Sequence, residues 1–227
     1  MKTHFTGDIH IIAIAGGSCS GKTRLAKYTC EALGQDKCTV LRQDHYYLDL
    51  GGAKPGQPLP NFDHPDAFDW GLFLTHLQKL KSGLAVDIPT YDFTTHRRTD
   101  ITERVEPKPI ILIEGILILS QERLLSAFDY RFFVACDHDT RLDRRIRRDV
   151  EERGRTLSCI QEQFARDVAP MHDKFVDPSR RNADIIITQD QCELETIMGD
   201  GPLISLCENL LNKKPLPKDL LGQEILG

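Results

Sequence analysis

The 227-residue sequence has no apolar run approaching the roughly 20 residues that a membrane span requires. The stretch from Met1 to Ile9 is polar before a short apolar run, which is not the pattern of a secretory signal. Basic residues are in deficit, 29 against 34 acidic ones for a net charge of -5, and a general nucleic-acid or membrane-surface binder needs a basic footprint. Any anion site must therefore be local. Cysteine is sparse and unpaired in pattern: seven residues, at 19, 30, 38, 136, 159, 192 and 207, with no CxxC spacing. That fits reduced thiols in a cytoplasmic protein better than a disulfide framework or a zinc site. Internal repeats and low-complexity tracts are also missing.

Short apolar runs punctuate the chain instead. Ile9–Ala15, Cys38–Gln43, Ile110–Ile113, Tyr130–Ala135 and Ile185–Ile187 read as buried strands. Helical patterns lie between them, from Lys22, through Phe73, Leu74, Leu77 and Leu80, and from Thr140 and Ser158. A last helix is expected within Leu194 to Leu211. Gly51 to Asp69 is too rich in glycine and proline for regular structure, while Ile88–Phe93 and Ile101–Val105 suggest a hairpin. Strands alternating with helices imply an α/β fold with a mostly parallel sheet covered on both faces. Ligands of such sheets bind beyond the carboxyl ends of the strands, which here carry Gly16, Asp44, Glu114 and Asp137.

Between the first strand and the first helix stands Gly16-Gly17-Ser18-Cys19-Ser20-Gly21-Lys22-Thr23, a G-x-x-x-x-G-K-[ST] loop. Its glycines let backbone N–H groups turn inward on phosphates, and the helix N-terminus adds a favourable partial charge. Lys22 would reach the outer phosphates of a nucleoside triphosphate and the Thr23 hydroxyl would bind Mg2+. Glu114, at a strand end before Gly115, would hold that metal directly or through water, or is an ordinary strand-end carboxylate. Asp44 faces the same crevice. It would take the proton of an attacking hydroxyl and touch the metal's water shell, or it is a turn residue.

Two loops suit an acceptor. Asn61–Asp69 is mostly explained by turn chemistry, except for Phe62 and Phe68. Tyr91-Asp92-Phe93-Thr94-Thr95-His96 combines a phenol, a flat ring and an imidazole, which suits stacking on a base, or is a strand end. On the helix from Thr140, Leu142, Ile146 and Val150 form an apolar stripe flanked by Arg141, Arg145 and Arg148, with Arg153 and Arg155 following around Gly154. Arg144 and Arg147 fall off that flank. Such a row leading to a glycine hinge suits a lid on phosphates; the alternative is a solvated face stitched by pairs such as Arg145–Asp149 and Asp149–Arg153.

With these motifs the chain resembles the uridine–cytidine kinases of the P-loop kinase superfamily, from about residue 9 to 187. The pieces are Gly16–Thr23, Asp44-His45-Tyr46-Tyr47, Asn61–Asp69, Tyr91-Asp92-Phe93 with His96, Ile113-Glu114-Gly115, Arg144–Asp149 with Glu152-Arg153-Gly154-Arg155, and Ala183–Ile186. The resemblance implies one P-loop NTPase domain with a five-stranded parallel core, acceptor insertions at about 45–69 and 88–106, a hairpin over the pyrimidine, a lid at about 148–165 and a homo-oligomer, often a tetramer. It further implies Asp44 as catalytic base, Thr23 and Glu114 on magnesium, and Asp63 on the ribose 2′- and 3′-hydroxyls with Arg145 assisting. Phe93 would pack on the base, with Phe62, Tyr91, His96, Arg155 and Gln163 around it, and Arg148 and Arg153 would meet phosphates.

Three departures stand out. Cys19 occupies a position usually held by glycine, 49–53 lacks basic residues, and the tail from Gln189 to 227 matches nothing. The expected function is ATP- or GTP-dependent phosphorylation of the 5′-hydroxyl of uridine and cytidine in pyrimidine salvage, with small-molecule partners only. A kinase of another small alcohol, of sugar-phosphate or pantothenate type, and a slowly hydrolysing nucleotide switch are the alternatives.

Overall fold

A computed structural model of the chain describes residues 5–49, 60–93, 95–188, 201–215 and 224–225. Five parallel strands form its centre: β1 (His10–Gly16), β2 (Cys38–Arg42), β5 (Ile110–Gly115), β6 (Tyr130–Ala135) and β7 (Ile185–Thr188), in the order β2-β5-β1-β6-β7. A two-residue strand, β8 (Glu224–Ile225), extends the edge beside β7 in the same sense. The expected strand boundaries hold to within two residues.

The strands read as apolar runs because both faces are covered. Side chains alternate with period two, so Ile11, Ala13 and Ala15 of β1 join one core and Ile12 and Ile14 the other. The first core receives Trp70, Phe73, Leu77 and Leu80 of α2 (Trp70–Lys81). Truncating a ring such as Phe73 there should cost about 3–5 kcal/mol, as core Phe→Ala changes do. Leu25, Ala26 and Leu33 of α1 (Lys22–Leu33) cover the other face.

The antiparallel hairpin β3 (Val86–Asp92) and β4 (Arg97–Val105) stands apart, with a register shift between Pro89 and Tyr91. After a short α3 (Glu122–Leu125), α4 (His138–Arg153) is capped by the Asp137 side chain, which accepts from Thr140 N at 2.8 Å, and closed by Gly154 at φ 61°. α5 (Leu157–Gln163) begins at a Thr156 cap and runs through a π turn, Phe164–Val168, a short α6 (Ala169–Met171) and a second π turn, His172–Val176. The last described helix, α7, is Pro202–Leu211, started by proline at its first position. Its Leu203, Leu206 and Cys207 complete the core behind α1, giving part of the tail a packing role. The expected start at Leu194, the basic-poor stretch 50–53 and most of the glycine- and proline-rich loop before residue 60 lie outside the described residues, as does Thr94.

The apolar stripe of α4 is not its buried face. Thr140, Arg141, Arg145 and Asp149 are the buried residues of this helix, while Val150 is 45% exposed. Charged groups line the inner face because it borders a polar cleft rather than the sheet core.

Candidate active site

The cleft opens beyond the carboxyl ends of β1, β2 and β5, where strand order reverses about β1. The glycine-rich loop forms its floor. Gly16 has φ 151°, and a side chain there would meet Val134 O at 2.5 Å; a side chain on Gly17 would strike Arg141 Cδ at 2.8 Å and His172 Cδ2 at 2.9 Å. Gly21 caps α1 with φ 104°. Cys19 holds φ 64° with a full side chain, a left-handed conformation costing roughly 1–2 kcal/mol, so the departure at this position is accommodated under strain. Ser20 is buried beneath the loop. Lys22, 8% exposed, folds back to donate to Gly17 O at 3.4 Å.

At the strand ends, Thr23 Oγ1 donates to Glu114 Oε1 at 3.0 Å, and Arg42 Nε stands 4.0 Å from the same oxygen. Glu114 is 4% exposed, and burial pushes its pKa up, with Lys22 the largest opposing influence. A divalent cation would offset that buried charge, and the oxygen donors of Thr23, Glu114 and Asp44 suit magnesium, which takes one or two carboxylates plus substrate oxygens. Gln43 ties the two acidic strand ends together: its Oε1 accepts from Leu117 N at 2.9 Å and fills the space that a side chain on Gly115 would need. Asp44 follows on a 3-10 turn, Gln43–Tyr46, anchored by the buried Tyr46 hydroxyl against His76 Nδ1 at 2.9 Å.

The opposite wall is aromatic. Tyr47 stacks on Phe68 with centroids 4.2 Å apart and meets Tyr91 at 5.0 Å and Phe62 at 5.8 Å; His96 lies parallel to Phe62 at 4.6 Å. Phe93 projects to the mouth, 44% exposed, with the Arg153 guanidinium 5.6 Å from its ring centre. Burial raises the Tyr91 phenol to about 12 and, with Arg155 next, holds His96 below 6.5, so His96 is a neutral imidazole at neutral pH. Burial also lifts Asp63 above the ordinary carboxylate value, with Arg145 the first opposing group. Arg98 fastens the hairpin to this wall: Nε donates to Tyr47 O at 2.7 Å and the guanidinium reaches Asp69 Oδ2 at 3.3 Å.

Along the third side, Arg145 donates to Ser18 Oγ at 3.2 Å and to Gln163 Oε1 at 3.1 Å. Arg144, which fell off the expected flank, donates to Ser20 O at 3.4 Å and so touches the glycine-rich loop, whereas Arg147 is exposed.

One cleft of about 1100 Å³ thus brings together Ser18, Cys19, Gly21, Lys22, Thr23, Asp44, Phe62, Asp63, Tyr91, Phe93, His96, Arg145, Arg148, Arg153, Arg155 and Gln163. Gly16, Gly17, Ser20 and Glu114 back it from the loop and strand end. Sequence reasoning passed over Tyr47, Gln43, Arg98 and Arg144. Tyr47 and Arg144 stood in the quoted Asp44–Tyr47 and Arg144–Asp149 motifs and were the two of these with a readable signal.

A parallel α/β sheet with a glycine-rich loop, a strand-end carboxylate beside it and an aromatic wall across the same cleft defines a P-loop kinase of small molecules. The family described as phosphoribulokinase / uridine kinase matches residues 11–194, and the chain belongs to it. It is accordingly a phosphotransferase with an alcohol group as acceptor and ATP as phosphoryl donor. The chain is 46% identical over 177 residues to a uridine kinase from Chloroflexus aggregans, covering 78% of this chain and 85% of that one. It is 44% identical over 184 residues to a uridine kinase from Brevibacillus brevis, covering 81% and 86%. Phosphoribulokinase from Rhodobacter spheroides shares the fold alone, with a TM-score of 0.57, 13% identity, and 80% and 70% coverage.

Proposed function

We propose that the chain transfers the γ-phosphoryl group of ATP or GTP to the 5′-hydroxyl of uridine and of cytidine, in pyrimidine salvage. The observation that carries this reading is the aromatic basket of Tyr47, Phe62, Tyr91, Phe93 and His96, opening into the same cleft as the glycine-rich loop. A sugar phosphate needs no such flat-walled basket, and a nucleotide switch needs no second site.

Asp44 takes the 5′-hydroxyl proton as that oxygen bonds to the γ-phosphorus and the bond to the bridging β–γ oxygen breaks, releasing the nucleoside diphosphate. Lys22, Arg148 and Arg153 hold the phosphate oxygens, for phosphoryl transfer depends on positioning and charge stabilisation. Thr23, Asp44 and Glu114 would hold magnesium, which when bound would supply positive charge to the phosphates. Asp63 and Arg145 take the ribose hydroxyls. Phe93 and Phe62 pack the base, with Tyr91, His96, Arg155 and Gln163 at its edge. Closure of the arginine lid over the bound substrates excludes water, the competing acceptor.

The described cysteines are free, and no described helix is long and apolar enough to cross a membrane, which is compatible with a cytoplasmic enzyme. A homo-oligomer of tetramer type is the assembly that this family reading implies. The test is ADP release with a panel of nucleosides and phosphorylated or plain sugar alcohols. Uridine and cytidine should drive turnover; turnover on a sugar phosphate or pantothenate alone, or without any acceptor, would overturn the reading.

A further inference from the structure

Asp149 sits on the inner face of α4 with no exposed surface, yet no step above uses it. Four guanidiniums surround its carboxylate, and the two oxygens divide them. Oδ1 takes Arg148, whose Nε and Nη2 lie at 2.8 Å, and Arg153 Nη1 at 3.6 Å. Oδ2 takes Arg155 Nη1 at 3.1 Å and Arg145 Nε at 3.7 Å. The first pair are the phosphate-side arginines of the proposed reaction and the second pair the nucleoside-side ones. The backbone repeats the arrangement: the Asp149 carbonyl accepts from Gly154 N and, at 3.1 Å, from Arg155 N, fixing the turn that carries Arg153 and Arg155.

Four like charges on one short helix segment and the turn after it repel one another, and a single buried carboxylate is what lets them share a wall. Burial would raise the Asp149 pKa, but the arginines, Arg148 first, outweigh it and hold the group below the ordinary carboxylate value. Phosphates arriving at Arg148 and Arg153 would pull on the Oδ1 side, and the carboxylate would pass that displacement to Arg155 and Arg145 on the Oδ2 side. Arg145 in turn spans Ser18 of the glycine-rich loop and Gln163.

Resting on the kinase reading above, we infer that Asp149 is a positioning residue that couples the two substrates: by holding one arginine pair on each oxygen, it makes nucleoside binding and triphosphate binding mutually reinforcing. Such coupling is reciprocal and falls typically in the range of 5- to 150-fold between sites of this kind.

Titration calorimetry tests it, with uridine binding measured in the presence and absence of a non-hydrolysable ATP analogue and magnesium. The unmutated protein should bind uridine at least about fivefold more tightly with the analogue present. Asp149→Asn should bring that ratio to within about twofold of unity and cut kcat about tenfold or more. Its affinity for the analogue alone should be unchanged or higher, because a negative charge facing the phosphates has gone. Asp149→Glu, which keeps the charge, should recover part of the coupling. An Asp149→Asn ratio matching the unmutated protein would overturn the inference. So would Asn and Glu variants equally defective with equally lowered Tm, the result expected of a packing role. Uridine turnover with no coupling in the unmutated protein would sink the inference while sparing the function; no uridine turnover at all would sink the function and the inference with it.

Discussion

Asp63 offers the sharpest check on the acceptor side. Its carboxylate is half-buried in the cleft near Arg145, and burial raises its pKa, the sign of a charge that is incompletely solvated. Two vicinal ribose hydroxyls would supply it with donors. A 2′-deoxy nucleoside supplies only one, leaving part of a desolvated acceptor unpaired, which costs about 1–3 kcal/mol. At 1.4 kcal/mol per tenfold, deoxyuridine should have a kcat/KM roughly 5- to 150-fold below that of uridine. Asp63→Ala should lower uridine efficiency and shrink the gap between the two substrates toward unity. The pH dependence has a fixed sign: because the folded pKa lies above 3.8, the acid limb of kcat/KM for uridine should lie above that value. Replacing Arg145 by Met, which removes the largest opposing influence, should move that limb to still higher pH. By the same linkage the folded state binds the extra proton, so this group's contribution to stability falls as pH rises from 3.8 through the raised value. Steady-state kinetics with both nucleosides on both proteins reads all of this, and equal efficiency for uridine and deoxyuridine in the unmutated protein would refute the reasoning.

The remaining predictions concern three other residues. Asp44→Asn should keep both substrates bound but lower kcat by about 10² to 10⁴, the range of general acid–base contributions, and near-normal turnover would remove Asp44 as the base. His96→Phe should impair cytidine more than uridine, since a neutral imidazole can accept from the cytosine amine. In the unmutated enzyme the cytidine rate should fall on acidification only below pH 6.5, because burial and then Arg155 depress the His96 pKa, and a profile unchanged by the substitution would place His96 outside the pocket. Cys19→Gly should release a left-handed strain of roughly 1–2 kcal/mol against about 0.4–1 kcal/mol of added unfolded-state freedom, for a net gain between about 0 and 1.6 kcal/mol and a Tm up to roughly 3–6 °C higher. The same variant should lose sensitivity to a thiol-alkylating reagent that inactivates the unmutated enzyme and from which bound ATP protects it; a lower Tm, or sensitivity retained, would count against the strained and accessible Cys19.

The periodicity of short apolar runs determined the sheet, because a strand covered on both faces must be apolar at nearly every position, as β1 and β5 are. The glycine-rich loop was legible for a similar reason: its chemistry is local, with spacing and backbone freedom both written in consecutive residues. The motifs that carried the family resemblance also located Asp44, Asp63, Glu114 and the arginine row, and the tertiary structure gathers these into one cleft. On α4 the one-sided arginine row was legible, but whether it formed a solvated face or lined a cleft was decided by the fold: Arg141, Arg145 and Asp149 are buried, since the neighbouring surface is the polar cleft and not the sheet core. Tyr47 as the centre of the aromatic wall, Arg98 as the clasp of the hairpin and Gln43 as the tie between two strand ends were likewise decided in three dimensions. Each acts on groups at least 29 residues away or on another element, a distance over which periodicity and spacing carry no information. Asp149 is the extreme case. In sequence it is one acid among arginines, fit for a solvated helix face; the fold buries its carboxylate, and the turn at Gly154 brings Arg155 back beside Arg145, Arg148 and Arg153 so that one carboxylate meets four guanidiniums.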